Sequence, residues 1–130
     1  MSQPVPDDLI DLLERPIFAS LGTIRPDASP QVNPMWFDYD GQTLRFTHTT
    51  KRAKYRNLQL NPAMSLLVTD PDDPNRYLEV RGRLIEAVPD PDGAYYVHLG
   101  QRYGNPDQQP PPDAPDRVIL VMSIEKTSRH

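Results

Sequence analysis

The run Thr49-Thr50-Lys51-Arg52-Ala53-Lys54-Tyr55-Arg56-Asn57 concentrates positive charge: four of the six residues from Lys51 to Arg56 are cationic, in a chain whose net charge is -4. The chemistry open to such a run is anion binding. Thr50 to Leu60 reads as a helix closed by Asn61-Pro62, with Thr49 or Thr50 as its natural N-cap. A helix N-terminus already carries partial positive charge, so Lys51, Arg52 and Lys54 in the first turn each cost some tenths of a kcal/mol. An anion held there offsets the cost, because free backbone N–H groups and side chains engage it together. The plainer alternative is a surface helix whose charges face water.

A second stretch, Pro30-Gln31-Val32-Asn33-Pro34-Met35-Trp36, carries amides beside a proline-broken strand. A planar heteroaromatic ring needs such donors and acceptors for its carbonyls and ring nitrogens. The alternative is an edge strand with its polar residues outward. Other features are weaker. His48, His98 and His130 lack metal-ligand spacing. Asp70, Asp72 and Asp73 read as a solvated loop without the glycine and terminal Glu of a calcium-binding EF-hand. Tyr95, Tyr96 and Tyr103 read as cover for a core. There is no GxSxG, no GxGxxG after a strand and no phosphate-binding P-loop.

The elements that must position these residues follow from periodicity. Asp7 to Glu14 forms a short amphipathic helix ended by Arg15-Pro16. Strands are expected at Ile17–Ile24, at Pro30–Tyr39 with Pro34 forcing an edge or a bulge, and at Thr43–His48, where Leu44 and Phe46 alternate with Arg45 and Thr47. Arg25–Ser29 is a turn, and Asp40-Gly41 signals a hairpin. After the basic helix come strands at Ala63–Thr69 and Arg76–Val88, separated by an exposed acidic loop over Asp70–Asn75. A helix over Asp92–Tyr103, a proline-rich loop over Asn105–Pro115 and a buried strand over Arg117–Ile124 complete the chain. Strand runs joined by hairpins, with helices inserted, argue for an antiparallel, partly closed barrel and against a parallel nucleotide-binding sheet.

The bulk properties set the remaining bounds. A chain of 130 residues is one domain, 1–130, large enough for one real core. Its sixteen prolines spare the apolar runs, so they punctuate elements and do not mark disorder. The negative net charge argues against nucleic acid or an anionic membrane as partner. Without cysteine there is no disulfide, thiolate metal site or cysteine nucleophile. The acidic start MSQPVPDDLIDLLERP does not read as a signal peptide, and the apolar runs fall far short of the ~20 residues that span a bilayer. A cytoplasmic protein is expected.

The segments FASLGTIRPDASPQVNPMWFDYDGQTLRF, TKRAKYRNLQLNPAMSLLV and YLEVRGRLIEA together resemble the pyridoxamine-phosphate-oxidase-like split-barrel superfamily. More narrowly, they resemble the B group of flavin/deazaflavin oxidoreductases of actinobacteria, many of which use coenzyme F420. The resemblance runs from about Ile17 to Ala87, and the final strand also fits. It implies a mainly β fold with peripheral helices, a six-stranded antiparallel split β-barrel. It further implies a homodimer with two cofactors at the interface.

Carried onto this chain, the resemblance has Arg52 and Lys54 grip the cofactor phosphate, while Thr47, His48, Thr49 and Thr50 line its tail. Gln31, Val32 and Asn33 lie along the tricyclic ring, and Asn57 fixes the helix start. Asn75, Arg76 and Tyr77 reach the cofactor from the start of the fifth expected strand, across the dimer. The implied activity is an F420H2-dependent reductase passing hydride to an electron-poor conjugated small molecule: an enone, lactone, quinone or tetrapyrrole. No side chain is an obvious proton donor, and no metal is implied. The alternatives are an FMN-binding oxidoreductase of the same fold, a non-catalytic F420-binding protein, and a barrel that has lost its cofactor.

Overall fold

Alternation of apolar and polar residues decides most of this structure, a computed structural model that describes residues 5–129. Along Ala19–Ile24 (β1), Ala19, Leu21 and Thr23 are buried while Ser20 is exposed. Pro30–Met35 (β2) pairs antiparallel with β1 alone, so its other edge is free. Pro34, which has no N–H to give a ladder, is tolerated there, as expected of an edge strand. Asp38–Tyr39 (β3) and Thr43–Thr49 (β4) form the hairpin marked by Asp40-Gly41; Gly41 takes a φ of 92°, which favours glycine at this turn. Leu44 and Phe46 of β4 enter the core as their spacing requires.

Ala63–Asp70 (β5) and Asp73–Pro89 (β6) are joined by a tight turn. The exposed loop expected over Asp70–Asn75 is therefore much shorter. Asp70 is only 8% exposed; its carboxylate accepts the Asp72 N–H at 2.9 Å and pairs with Arg76 at 2.9 Å. This side-chain turn closes the hairpin, so the strand resumes at Asp73 and not at Arg76. Arg117–Ser123 (β7) joins β6 to β4, and Lys126–Arg129 (β8) pairs along β6.

The sheet order is β2-β1-β5-β6-β7-β4-β3, with β8 on β6. This is the expected split barrel; the strand expected over Pro30–Tyr39 breaks at Trp36-Phe37 into β2 and β3, and β8 is added to the six expected. It is a sheet bent around one core and left open between its β2 and β3 edges. Phe37, Phe46, Leu66, Leu78, Leu120 and Met122 are fully buried at its centre. Each contributes on the order of 1.5–3 kcal/mol of burial free energy.

Among the described residues, three α-helices flank the barrel: Asp11–Glu14 (α1), Ala53–Leu60 (α2) and Ala94–Arg102 (α3). A short 3-10 turn, Asp7–Leu9, precedes α1 and adds Leu9 to the core beside Leu12 and Leu13. Arg102 ties α3 to α1. Its guanidinium donates to the carbonyls of Leu13, Glu14, Arg15 and Phe37 at 2.9–3.1 Å, capping a helix that has no glycine cap. Asp8 and Asp11 ion-pair with Arg129 and Arg76, fastening the same N-terminal turn to β8 and β6.

At Gly82, β6 leaves β5 and takes up β7. A Cβ there would lie 1.8 Å from the Ser123 carbonyl oxygen, a backbone atom that has no room to yield. Gly82→Ala is expected to destabilise the protein by about 2–3 kcal/mol, read as a lower urea midpoint with an unchanged slope.

Candidate functional site

The functional helix begins later than its capping residues suggest. Thr49 remains in β4, opposite Arg117 of β7, and the Thr50 N–H donates to the Asp116 carbonyl at 3.1 Å. Strand pairing thus claims both threonines. Thr49 Oγ1 accepts the Lys51 N–H at 3.3 Å, and Arg52 occupies the N-cap with no side-chain cap bond. Lys51 and Arg52 therefore precede α2 and do not sit in its first turn. The correction changes how anion binding works here: the basic residues lie on a turn beside a strand end, and only Lys54 and Arg56 belong to the helix start.

A groove of about 450 Å³ opens at the split of the barrel. Asn33, Pro34 and Met35 of β2 form one wall, Thr47 and His48 of β4 another, and Arg52 and Lys54 a third. Phe18, Trp36, Tyr96 and Arg117 complete it. Trp36 stacks on Tyr103 at 5.4 Å between ring centroids and tilts against Tyr96 at 5.9 Å, so one side is aromatic.

The groove is open to solvent, but its charged wall is partly buried. Lys54 is 6% exposed, and its ammonium is 3.4 Å from the Met35 sulfur, a weak acceptor. Burial, then the nearby Arg52 charge, pulls its pKa down to about 8. His48 is 7% exposed and is pushed down to about 4, first by burial and then by Lys54, Arg117 and Arg52. It is a neutral imidazole at physiological pH. Asn33 Oδ1, Thr47 Oγ1 and His48 Nε2 are buried with no hydrogen-bond partner. Such orphaned groups are costly in a native fold unless a ligand satisfies them. Three cations facing three orphaned polar atoms suit an anionic, hydrogen-bonding ligand.

An anion held by protonated Lys54 binds best below its pKa. Sulfate, whose own charge is constant, is expected to bind with level affinity below pH 8. Above that its affinity is expected to fall by at most about tenfold per pH unit, followed by Trp36 fluorescence. A flat profile from pH 7 to 10 would show that the anion does not meet Lys54.

Of the residues expected at the site, Asn33, Thr47, His48, Arg52 and Lys54 meet in the groove. Thr49 and Thr50 lie just behind it in the strand end and the turn, and Asn57 is buried in the second turn of α2. Gln31 is half-buried further along β2, while Val32 points outward and is 66% exposed. Asn75, Arg76 and Tyr77 line a separate depression with Leu9, Asp73 and Arg129. Arg76 is engaged there by Asp11 and Asp70. His130 lies outside the described residues.

Sequence reasoning passed over Phe18 and Arg117 and gave Pro34 and Met35 no contact of their own within the amide-bearing stretch. Tyr96, read as core cover, instead faces the groove, because α3 lies across the split. Its ring carries the Arg117 guanidinium 4.8 Å from the centroid. Trp36, the sole tryptophan, directly follows the amide-bearing strand, and that adjacency was its one signal.

The pyridoxamine 5′-phosphate oxidase family matches residues 5–130. A solved structure named F420 reductase is 55% identical, with a TM-score of 0.94, covering 97% of this chain and 100% of its own. A conserved hypothetical protein of Mycobacterium tuberculosis is 24% identical at a TM-score of 0.76, covering 97% of this chain and 84% of its own. The HupZ protein of Group A Streptococcus is 16% identical at 0.67, covering 95% and 91%. These two likenesses concern the fold. A search of curated proteins finds no match.

Proposed function

The chain belongs to the pyridoxamine 5′-phosphate oxidase family, and from that premise we propose that it is an F420H2-dependent reductase of small, electron-poor conjugated molecules. One observation carries the reading: the cationic groove, in which Arg52 and the buried Lys54 adjoin the orphaned Asn33, Thr47 and His48 atoms and the Trp36 ring. The 55% identity to a structure named F420 reductase, over its full length, supports deazaflavin as the cofactor.

The residues fit such a group. Arg52 and Lys54 would hold its phosphate, and Thr47–Thr50 its tail. The amides of Gln31 and Asn33 would meet the edge of the tricyclic ring, where Asn33 Oδ1 lacks a partner. When bound, the reduced deazaflavin supplies a hydride to an enone, lactone, quinone or tetrapyrrole, and water supplies the proton that completes the addition. The chain's own part is to bind, orient and dry the site. Lys54 sets a charge in a low-dielectric wall, where it attracts an anion far more strongly than in water. Trp36 and Tyr96 exclude water and hold the reactants together. His48, neutral, offers a hydrogen bond without adding charge.

The working form in this proposal is a homodimer. Strand register puts Ser20, Gly22, Val32, Pro34 and Leu67 on the sheet's outer face. Phe18, Val32 and Leu67 there are 64%, 66% and 40% exposed, an apolar patch suited to a second copy. Tyr77 is opposite Thr69 on that same face, so the Asn75–Tyr77 segment would approach the groove of the other copy.

Titration of the purified protein with F420 and, separately, with FMN tests the cofactor, using quenching of Trp36 in the groove wall. Micromolar or tighter F420 binding with weak FMN binding is expected. The opposite preference, or binding of neither, overturns the reading.

A further inference from the structure

Arg117 is not needed to explain the phosphate site, and its surroundings give it a different task. It is the first residue of β7, directly opposite Thr49, so its side chain shares a face of the sheet with Thr47, two residues along β4. The Arg117 side chain is 13% exposed. Its Nε lies 3.2 Å from an Asp113 carboxylate oxygen in the proline-rich loop, an ion pair without hydrogen-bond geometry, and its guanidinium packs over Tyr96. Among the described residues, none hydrogen-bonds to its two terminal amino groups. Thr47, 9% exposed, has its hydroxyl buried without a partner.

The arrangement is braced. The Asp90 N–H donates to the Arg117 carbonyl at 2.9 Å, and the Asp90 carboxylate accepts the Tyr95 N–H at 3.0 Å. One buried aspartate therefore fixes the start of α3, which bears Tyr96, against the start of β7, which bears Arg117. A guanidinium packed over an aromatic ring, with its two terminal amino groups unengaged, suits bidentate recognition of a planar anion. The neighbouring Trp36 and Tyr96 rings would take a flat conjugated body.

We infer that Arg117 forms a carboxylate subsite in the groove, and that the preferred hydride acceptors are planar conjugated molecules bearing a carboxylate. The inference rests on the proposed reductase reading for its chemistry, but not for its binding. Asp113 acts as a positioning residue, aiming the guanidinium from the loop. The same chemistry could serve a carboxylate on the cofactor's own tail, and the test separates the two.

Coumarin-3-carboxylic acid and its methyl ester share one flat, electron-poor scaffold and differ in the charge. Equilibrium dialysis of the cofactor-free Lys54→Met protein, in which the phosphate site is disabled, is expected to show the acid bound at least about tenfold more tightly than the ester, as for a hydrogen-bonded charged group, and the further variants are made in that background. Arg117→Met should erase that preference, Arg117→Lys should keep only part of it, and Asp113→Asn, which leaves the charge but frees the side chain, should reduce it. With F420H2 present, the same substitutions in the otherwise wild-type protein should lower the acid-to-ester ratio of kcat/KM through KM. Equal binding of acid and ester by the Lys54→Met protein overturns the subsite. So does a loss of F420 affinity in Arg117→Met alone as large as the loss of acid preference, which would give Arg117 to the cofactor. The dialysis needs no F420, so failure of the reductase reading leaves this result legible. If Arg117→Met does not fold, Asp113→Asn carries the test.

Discussion

Replacing Lys54 by Met is expected to lower affinity for F420 by about 100-fold or more while making the ligand-free protein more stable. The two effects have one cause. Lys54 is almost fully buried, its ammonium meets only the Met35 sulfur, and its pKa falls to about 8. In the unfolded chain the ammonium is hydrated with an ordinary pKa near 10.4. The folded state therefore carries a penalty for the charge that is fully present below pH 8 and is relieved as pH rises toward the unfolded value. Met fills the same space without charge. A gain of about 1–3 kcal/mol at pH 7 is expected, and it should shrink as pH rises above 8. The cation is kept for its ligand, an exchange of stability for function common at sites. Urea unfolding and F420 titration of the same variant measure both halves. A variant that binds F420 as the wild type does, or that is less stable, would dispose of this account.

Arg102→Met is expected to have the largest effect on stability without touching the groove, a loss of about 3–4 kcal/mol. The side chain serves three successive carbonyls at the end of α1 and a fourth at Phe37, and it covers the Phe37 ring at 5.5 Å. Water cannot replace it well, because the side chain is 15% exposed. Lys in its place restores the charge but offers one compact donor group where a planar fork reaches several carbonyls. Arg102→Lys should therefore recover less than half of the loss. Recovery in full would mean that charge, not geometry, holds α1. Equilibrium urea curves for the two variants decide.

Where local pattern and tertiary pairing agree, the sequence was readable. Leu44 and Phe46 announce β4, Asp40-Gly41 its hairpin, and Pro34 an edge. Where they compete, it misled. Thr49 and Thr50 are good helix caps, yet pairing of β4 with β7 holds Thr49 in the sheet, the Thr50 N–H is taken by the Asp116 carbonyl, and α2 is delayed to Ala53. Lys126–Arg129 lacks apolar residues and forms β8 through backbone bonds to β6, which no hydrophobic period reports. Asp70 looked solvated because its neighbours are acidic; its partner Arg76 lies across a hairpin that had first to be recognised. In the groove, the residues of the basic run and of β2 were legible as local clusters. Tyr96 and Arg117 enter from α3 and β7, so only the folded sheet brings them to Trp36 and Lys54.

The sheet order has a consequence for how the chain comes into being. β4, with β3, is joined to the rest of the barrel only through β7, and β7 only through the second half of β6. The two walls of the groove stand at opposite ends of that path. A nascent chain that has not yet released Arg117–Ser123 from the ribosome can pair β1, β2, β5 and β6, but its β4 hairpin has no sheet to join. Such long-range closure is slow relative to local pairing. The cationic cluster is thus completed only when β7 brings Arg117 to Arg52 and Lys54.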